Sequence, residues 1–115
     1  MNDSTSPGER GDLLRGALEM LILRTLDGDP MHGFGITEAL RDRSEEVLTV
    51  DEGSMYPALY RMQRRGWIAA EWGRSENNRR AKFYSLTGEG RQQLEAASER
   101  WDRFSRAVGR VMDTA

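Results

Sequence analysis

From Leu13 to Leu26 apolar residues fall on every side of a helix: Leu13, Leu14, Ala17, Leu18, Met20, Leu21, Ile22, Leu23 and Leu26. A helix with one apolar stripe needs one neighbour, but a helix apolar nearly all round must be covered on more than one side. A chain of 115 residues forms one domain with one modest core. The pattern therefore predicts that a second copy covers part of this helix, with Asp12 as its cap. The longest apolar run, Ala17 to Leu26, is broken by Glu19, Arg24 and Thr25, well short of the roughly 20 residues a membrane span needs. The polar, acidic start (MNDSTSPGER) does not read as a secretory signal. Residues 1–10 read as a disordered tail. With no cysteine there is no disulfide framework, thiolate nucleophile or thiolate zinc site. A cytoplasmic protein is the expectation.

DGDP (27–30) marks a turn, with Pro30 suited to the start of the next helix. Phe34, Ile36, Ala39 and Leu40 pattern a short helix ending near Arg43, and Val47 to Val50 reads as a brief extended segment. In DEGSMYPALYRMQRRG, Pro57 is tolerated only in a first turn, which places the cap among Asp51 to Ser54, and Gly66 supplies the stop. Met55, Leu59 and Met62 share one face, leaving Ser54, Tyr56, Tyr60, Arg61, Gln63, Arg64 and Arg65 outward. WIAAEW (67–72) and AKFYSL (81–86) have strand character, joined by the turn-rich GRSENNRR (73–80) as a hairpin with a basic tip. Thr87 caps a last helix. In it Leu94, Trp101 and Val108, and likewise Ala97, Phe104 and Val111, repeat every seven residues as a seam for a partner helix. The same seam could instead pack within its own chain.

Helix, helix, short strand, helix, hairpin is the order of a winged helix-turn-helix, mainly α with a small β wing. In that fold the second helix of the pair, here Ser54 to Arg65, enters the major groove. Net charge is −2, which alone argues against a polyanionic partner. Its distribution argues otherwise. Between Arg61 and Lys82 seven basic residues face two acidic ones, a balance of +5 against −7 for the rest of the chain. Only one of the 17 basic residues is lysine; arginine's fork suits phosphate and guanine, though a GC-rich genome gives the same bias. Each feature has a plainer reading as well. Tyr56 and Tyr60 could be half-buried aromatics, Arg79, Arg80 and Lys82 a solvated loop, and Arg64 and Arg65 cations favoured at a helix C-terminus.

Enzymatic signals are lacking. His32 stands alone, without neighbouring acids, and reads as a structural or helix-start residue. Gly33-Phe-Gly35 lacks the third glycine and the preceding strand of a phosphate loop. No Ser/His/Asp set or carboxylate pair emerges, so neither a cofactor nor a metal is expected.

Four segments together resemble the PadR-type regulators: LLRGALEMLILRTL (13–26), MHGFGI (31–36), GSMYPALYRMQRRGWI (53–68) and SENNRRAKFYSLTGEG (75–90). The likeness runs from about Leu13 to the C-terminus, and the single closing helix is similar to the family's short branch. It implies a homodimeric repressor on a palindromic operator of its own or a neighbouring gene. Carried onto this chain, the family's DNA contacts fall on Ser54, Tyr56, Tyr60 and Arg61 and on Arg79, Arg80 and Lys82, with Arg64 beside them. Some members respond to small aromatic effectors held between the first and last helices; here Trp101 and Phe104 would line such a pocket or simply form the dimer seam. Phe34 stands where the family often has tyrosine, which removes a hydroxyl. These readings give a disordered tail (1–10), a DNA-binding unit (11–86) and a dimerisation helix (87–113). The dimer surface is expected at Leu14, Leu18, Leu21, Leu94, Ala97, Trp101, Phe104, Val108 and Val111. The alternative is a winged-helix module that binds proteins and not DNA, for which the basic run 61–82 has no use.

Overall fold

The computed structural model describes residues 17–113. In order these are α1 (17–25), β1 (Met31–His32), α2 (Gly33–Arg43), α3 (Glu52–Arg64), β2 (Ile68–Arg74), β3 (Arg80–Leu86) and α4 (Gly88–Asp113). The expected tail, Asp12, Leu13 and Leu14 lie outside the described residues. Leu18, Ile22, Leu23 and Leu26 of α1 and its turn meet Ile36 and Leu40 of α2 in one core. Val50 ahead of α3, Met55, Ala58, Leu59 and Met62 of α3, Ile68, Tyr84 and Leu94 complete it. Among the described residues Thr25 is the one polar side chain buried with them, and its hydroxyl is satisfied by donating to the Leu21 carbonyl at 2.8 Å.

β1 is an element the sequence did not announce. It is two residues long, too short to show alternation, yet it pairs Met31 with Tyr84 and His32 with Phe83. Pro30 therefore precedes a strand and not a helix, and a strand does precede Gly33. His32 begins α2 as expected: Nδ1 accepts from the Gly35 N–H at 3.0 Å. Its ring stands edge-on to Phe83 at 5.3 Å and stacks toward Phe34 at 6.5 Å. Phe34, placed by its spacing on the apolar face, is in fact 63% exposed.

The extended segment expected at 47–50 is not a strand. Glu45 and Glu46 take positive φ values of 55° and 68°, and Ser44 Oγ accepts from the Leu48 N–H at 2.8 Å. That turn leaves Val47 outside and only Val50 in the core. α3 is capped by Asp51, whose Oδ1 accepts from the Ser54 N–H at 2.8 Å. Its start at Glu52 puts Pro57 in the second turn, not the first. The ring withholds an N–H from the Gly53 carbonyl, and Gly53 is exposed, so water can take that bond. Gly66 ends the helix at a φ of 81°.

The sheet order is β1-β3-β2. Register places Ile68, Ala70, Trp72 and Arg74 of β2 opposite Leu86, Tyr84, Lys82 and Arg80 of β3. These eight share one face, apolar over the core and cationic toward the tip. Thr87 docks α4 on this sheet: its Oγ1 accepts from the Gly90 N–H at 3.0 Å and shares its proton between the carbonyls of Gly66 and Trp67. α4 runs 26 residues, about 39 Å at about 1.5 Å per residue, and beyond Leu94 it leaves the core. The result is a winged helix-turn-helix with a projecting last helix. Among the described residues no helix is long and apolar enough to cross a membrane.

Candidate nucleic-acid interface

The buried positions of α3 (Met55, Ala58, Leu59, Met62) fix which side of it faces out. The line opposite runs through Gly53, Pro57, Tyr60 and Arg64, all exposed. Arg64 lies 5.7 Å from the Tyr60 ring centroid, with its Nη1 3.4 Å from the phenol oxygen. Tyr60 and Arg64 thus form a single outward ledge. Tyr56 flanks this line on the α2 side. Its ring packs on Gly33, close enough that a Cβ there would be 2.8 Å from Tyr56 Cε1. Ser54, Arg61 and Arg65 flank the other side, toward α1.

On that second side the structure departs from expectation. Arg61 is not simply outward: its Nε meets Glu19 Oε2 at 3.3 Å. Arg65 Nη1 meets the same carboxylate at 3.2 Å and lies over the Trp67 ring at 5.0 Å. Glu19 was invisible to sequence reasoning as a functional residue. The only available signal was an acid interrupting an otherwise apolar helix.

The wing closes through Ser75 and Arg79, whose backbone bond is 2.8 Å, with Asn78 at a φ of 58°. Arg74 donates to the Asn78 carbonyl at 3.2 Å, so it braces the tip. Arg80 lies 4.4 Å above the Trp72 ring, and Lys82 Nζ is 6.0 Å from the same ring. Trp72 is the second residue the sequence reading missed. Its partners follow from strand register, which composition does not reveal. Between the wing's inner face and the start of α2 runs a cleft of about 860 Å³, bordered by Tyr56, Tyr84, Glu38, Arg79, Arg80 and Lys82. Burial, with the neighbouring Tyr56 phenol adding to it, raises the Tyr84 pKa from its ordinary 10.0, so this residue of the cleft lining favours its neutral form. The structure thus brings Tyr56, Arg79, Arg80 and Lys82 to one opening, with Tyr60 and Arg64 on the adjacent helix surface.

The expected dimer residues divide. Leu18 and Leu94 belong to the chain's own core and have little surface left for a partner. Leu21 is half-buried against that core and Ala97 half-buried on α4. Trp101 (50% exposed), Phe104 (61%), Val108 and Val111 form a continuous apolar face beyond the core. Trp101 and Phe104, 6.1 Å apart between centroids, also border a shallow hollow of about 200 Å³ with Met20, Ala97 and Arg100.

Comparison with known proteins gives the context of this geometry. An uncharacterized protein of Lysinibacillus sphaericus is 23% identical over 104 residues, 90% of this chain and 95% of the relative. A PadR-like transcriptional regulator from Bacillus cereus superposes with a TM-score of 0.79 at 29% identity, covering 90% of this chain and 99% of that one. A PadR family transcriptional regulator from Eggerthella lenta gives 0.77 at 27% identity, with 94% and 92% covered. A transcriptional regulator from Clostridium thermocellum gives 0.78 at 25%, with 86% and 96% covered. Residues 22–96 match the model of the PadR-like family of transcriptional regulators, and the chain belongs to that family.

Proposed function

We propose that this regulator binds duplex DNA as a homodimer and represses its own or a neighbouring operon at a palindromic operator, acting in the cytoplasm and without catalysis. Residues 11–86 form the reading unit and 87–113 the dimerisation helix. α3 enters the major groove with Ser54, Tyr56, Tyr60 and Arg64 toward the duplex, and Arg79, Arg80 and Lys82 meet the adjacent phosphates. The observation that carries this reading is the placement of the wing's three cations and the outward Tyr60–Arg64 ledge on neighbouring surfaces. Phosphate contacts from a rigid helix and a nearby loop are what registers a protein on a groove. The apolar face of α4, open among the described residues, supports pairing. In such a pair the two reading helices would stand about 34 Å apart, one DNA turn. A small aromatic effector seated at Trp101 and Phe104 would release the DNA.

Binding to the DNA upstream of its own gene, followed by gel shift and footprinting over a salt series, tests the reading. With about 6–10 phosphates neutralised per dimer, log affinity falls against log salt with a slope of about −5 to −9. A protein that ignores duplexes at low salt overturns it.

A further inference from the structure

We propose that Glu19 on α1 acts as a governor of DNA affinity, holding Arg61 and Arg65 of α3 away from the duplex. This rests on the DNA-binding reading above. Both arginines lie on the flank of α3 that turns toward α1. One carboxylate takes both: Arg61 Nε at 3.3 Å and Arg65 Nη1 at 3.2 and 3.4 Å from its two oxygens. The glutamate is the more enclosed partner, with 26% of its side chain exposed against 41% and 48% for the arginines. An anchored acid therefore draws two longer, more exposed cations inward. Two guanidiniums are engaged by one negative charge, so the cluster keeps a net cation but loses reach and places a carboxylate beside the polyanion's path.

The position of Glu19 adds a mechanical consequence. Met20, the next residue of α1, borders the hollow against Trp101 and Phe104. The residue that holds the two arginines thus adjoins the hollow beside α4, and a shift of α1 there changes the grip of Glu19 on α3.

The test compares the full-length protein with Glu19→Gln on one duplex from its upstream region, by fluorescence anisotropy from low to moderate salt. Thermal melts confirm that both are folded. Glu19→Gln is expected to bind about fivefold tighter or better at low salt. Its salt slope should steepen by up to about 2 per protomer as the freed arginines reach phosphates. Adding Arg61→Ala and Arg65→Ala to Glu19→Gln should abolish the gain. A merely structural Glu19 would lower the melting temperature and weaken binding without steepening the slope, and that outcome overturns the inference. Equal slopes and affinities overturn it too, while leaving DNA binding intact. If neither protein binds the duplex, the DNA-binding reading falls and the inference with it.

Discussion

The ring of Tyr56 lies across Gly33: a Cβ added to that glycine would stand 2.8 Å from Tyr56 Cε1 and 3.0 Å from its phenol oxygen. The start of α2 and the start of α3 are thereby set against each other by one aromatic on one glycine. The clashing atoms are the far end of a side chain, which can swing. Gly33→Ala is therefore expected to keep the fold, at a cost of about 1 kcal/mol, while displacing Tyr56. Duplex affinity should fall more than stability does. Anisotropy titrations beside thermal melts check this; unchanged affinity would remove Tyr56 from the interface.

Gly90 is the contrasting case. A Cβ there runs into the backbone carbonyl of Trp67 and lies 2.9 Å from Leu86 Cδ1. A carbonyl in the β2 approach cannot rotate away, and the Thr87 hydroxyl donates to that same carbonyl at 2.9 Å. Gly90→Ala should thus cost about 3 kcal/mol or more by forcing α4 off the sheet. Denaturant unfolding measures it, and a loss below about 1 kcal/mol would mean that α4 is seated less tightly than its contacts imply.

The wing's contribution is electrostatic and reads out as a slope. Arg79 and Arg80 are two cations per protomer, four in a dimer. Replacing both with alanine should flatten the salt dependence by about 3–4 units at about 0.9 per phosphate. Trp72→Ala keeps every charge but removes the ring under Arg80, 4.4 Å away. It should weaken binding with a smaller change of slope, because an unpinned guanidinium spends its contact energy on ordering.

How far this architecture can be read from sequence depends on the range of the interaction. The α3 face was legible because Met55, Leu59 and Met62 repeat within one helix and Asp51 and Gly66 bracket it locally. The hairpin was legible because turn residues lie between two β-rich runs. β1 was not, since a two-residue strand owes its existence to partners more than 50 positions away, at Phe83 and Tyr84. Spacing likewise puts Leu94 in the heptad seam, but only the packing of α4 on the sheet shows that Leu94 belongs to the core and Trp101 does not. The ion pairs of Glu19 span 42 and 46 residues. No local pattern encodes them, so Arg61 read as a simple outward cation.

Tyr84 gives the alkaline behaviour. Its pKa is raised above the ordinary 10.0 by burial and then by Tyr56, so folding favours the neutral phenol. That stability is fully present below the unfolded value and is lost as pH climbs through the raised folded value. Melting temperature should therefore hold through neutral pH and drop in the alkaline range. Tyr84→Phe should remove part of the drop, and ultraviolet titration should show a late phenol ionisation that this variant lacks. A titration curve unchanged at its alkaline end in Tyr84→Phe would contradict the assigned burial.

The last expectation concerns what α4 does beyond the core. Trp101 and Phe104 lie beside each other and border, with Met20 of α1, the same shallow hollow, but neither belongs to the core cluster. Removing them should therefore leave a folded protomer. In the paired state the same side chains would be covered, and truncating a large aromatic in such a seam costs about 3–5 kcal/mol. The double variant Trp101→Ala, Phe104→Ala should sediment as a folded monomer. Its melting temperature should no longer rise with concentration, as mass action requires of a paired state. Duplex binding should weaken sharply, because one reading helix loses the second half-site. A stable dimer in sedimentation would place the pairing surface elsewhere. An unfolded chain would mean that α4 is held by contacts beyond Leu94 and Thr87.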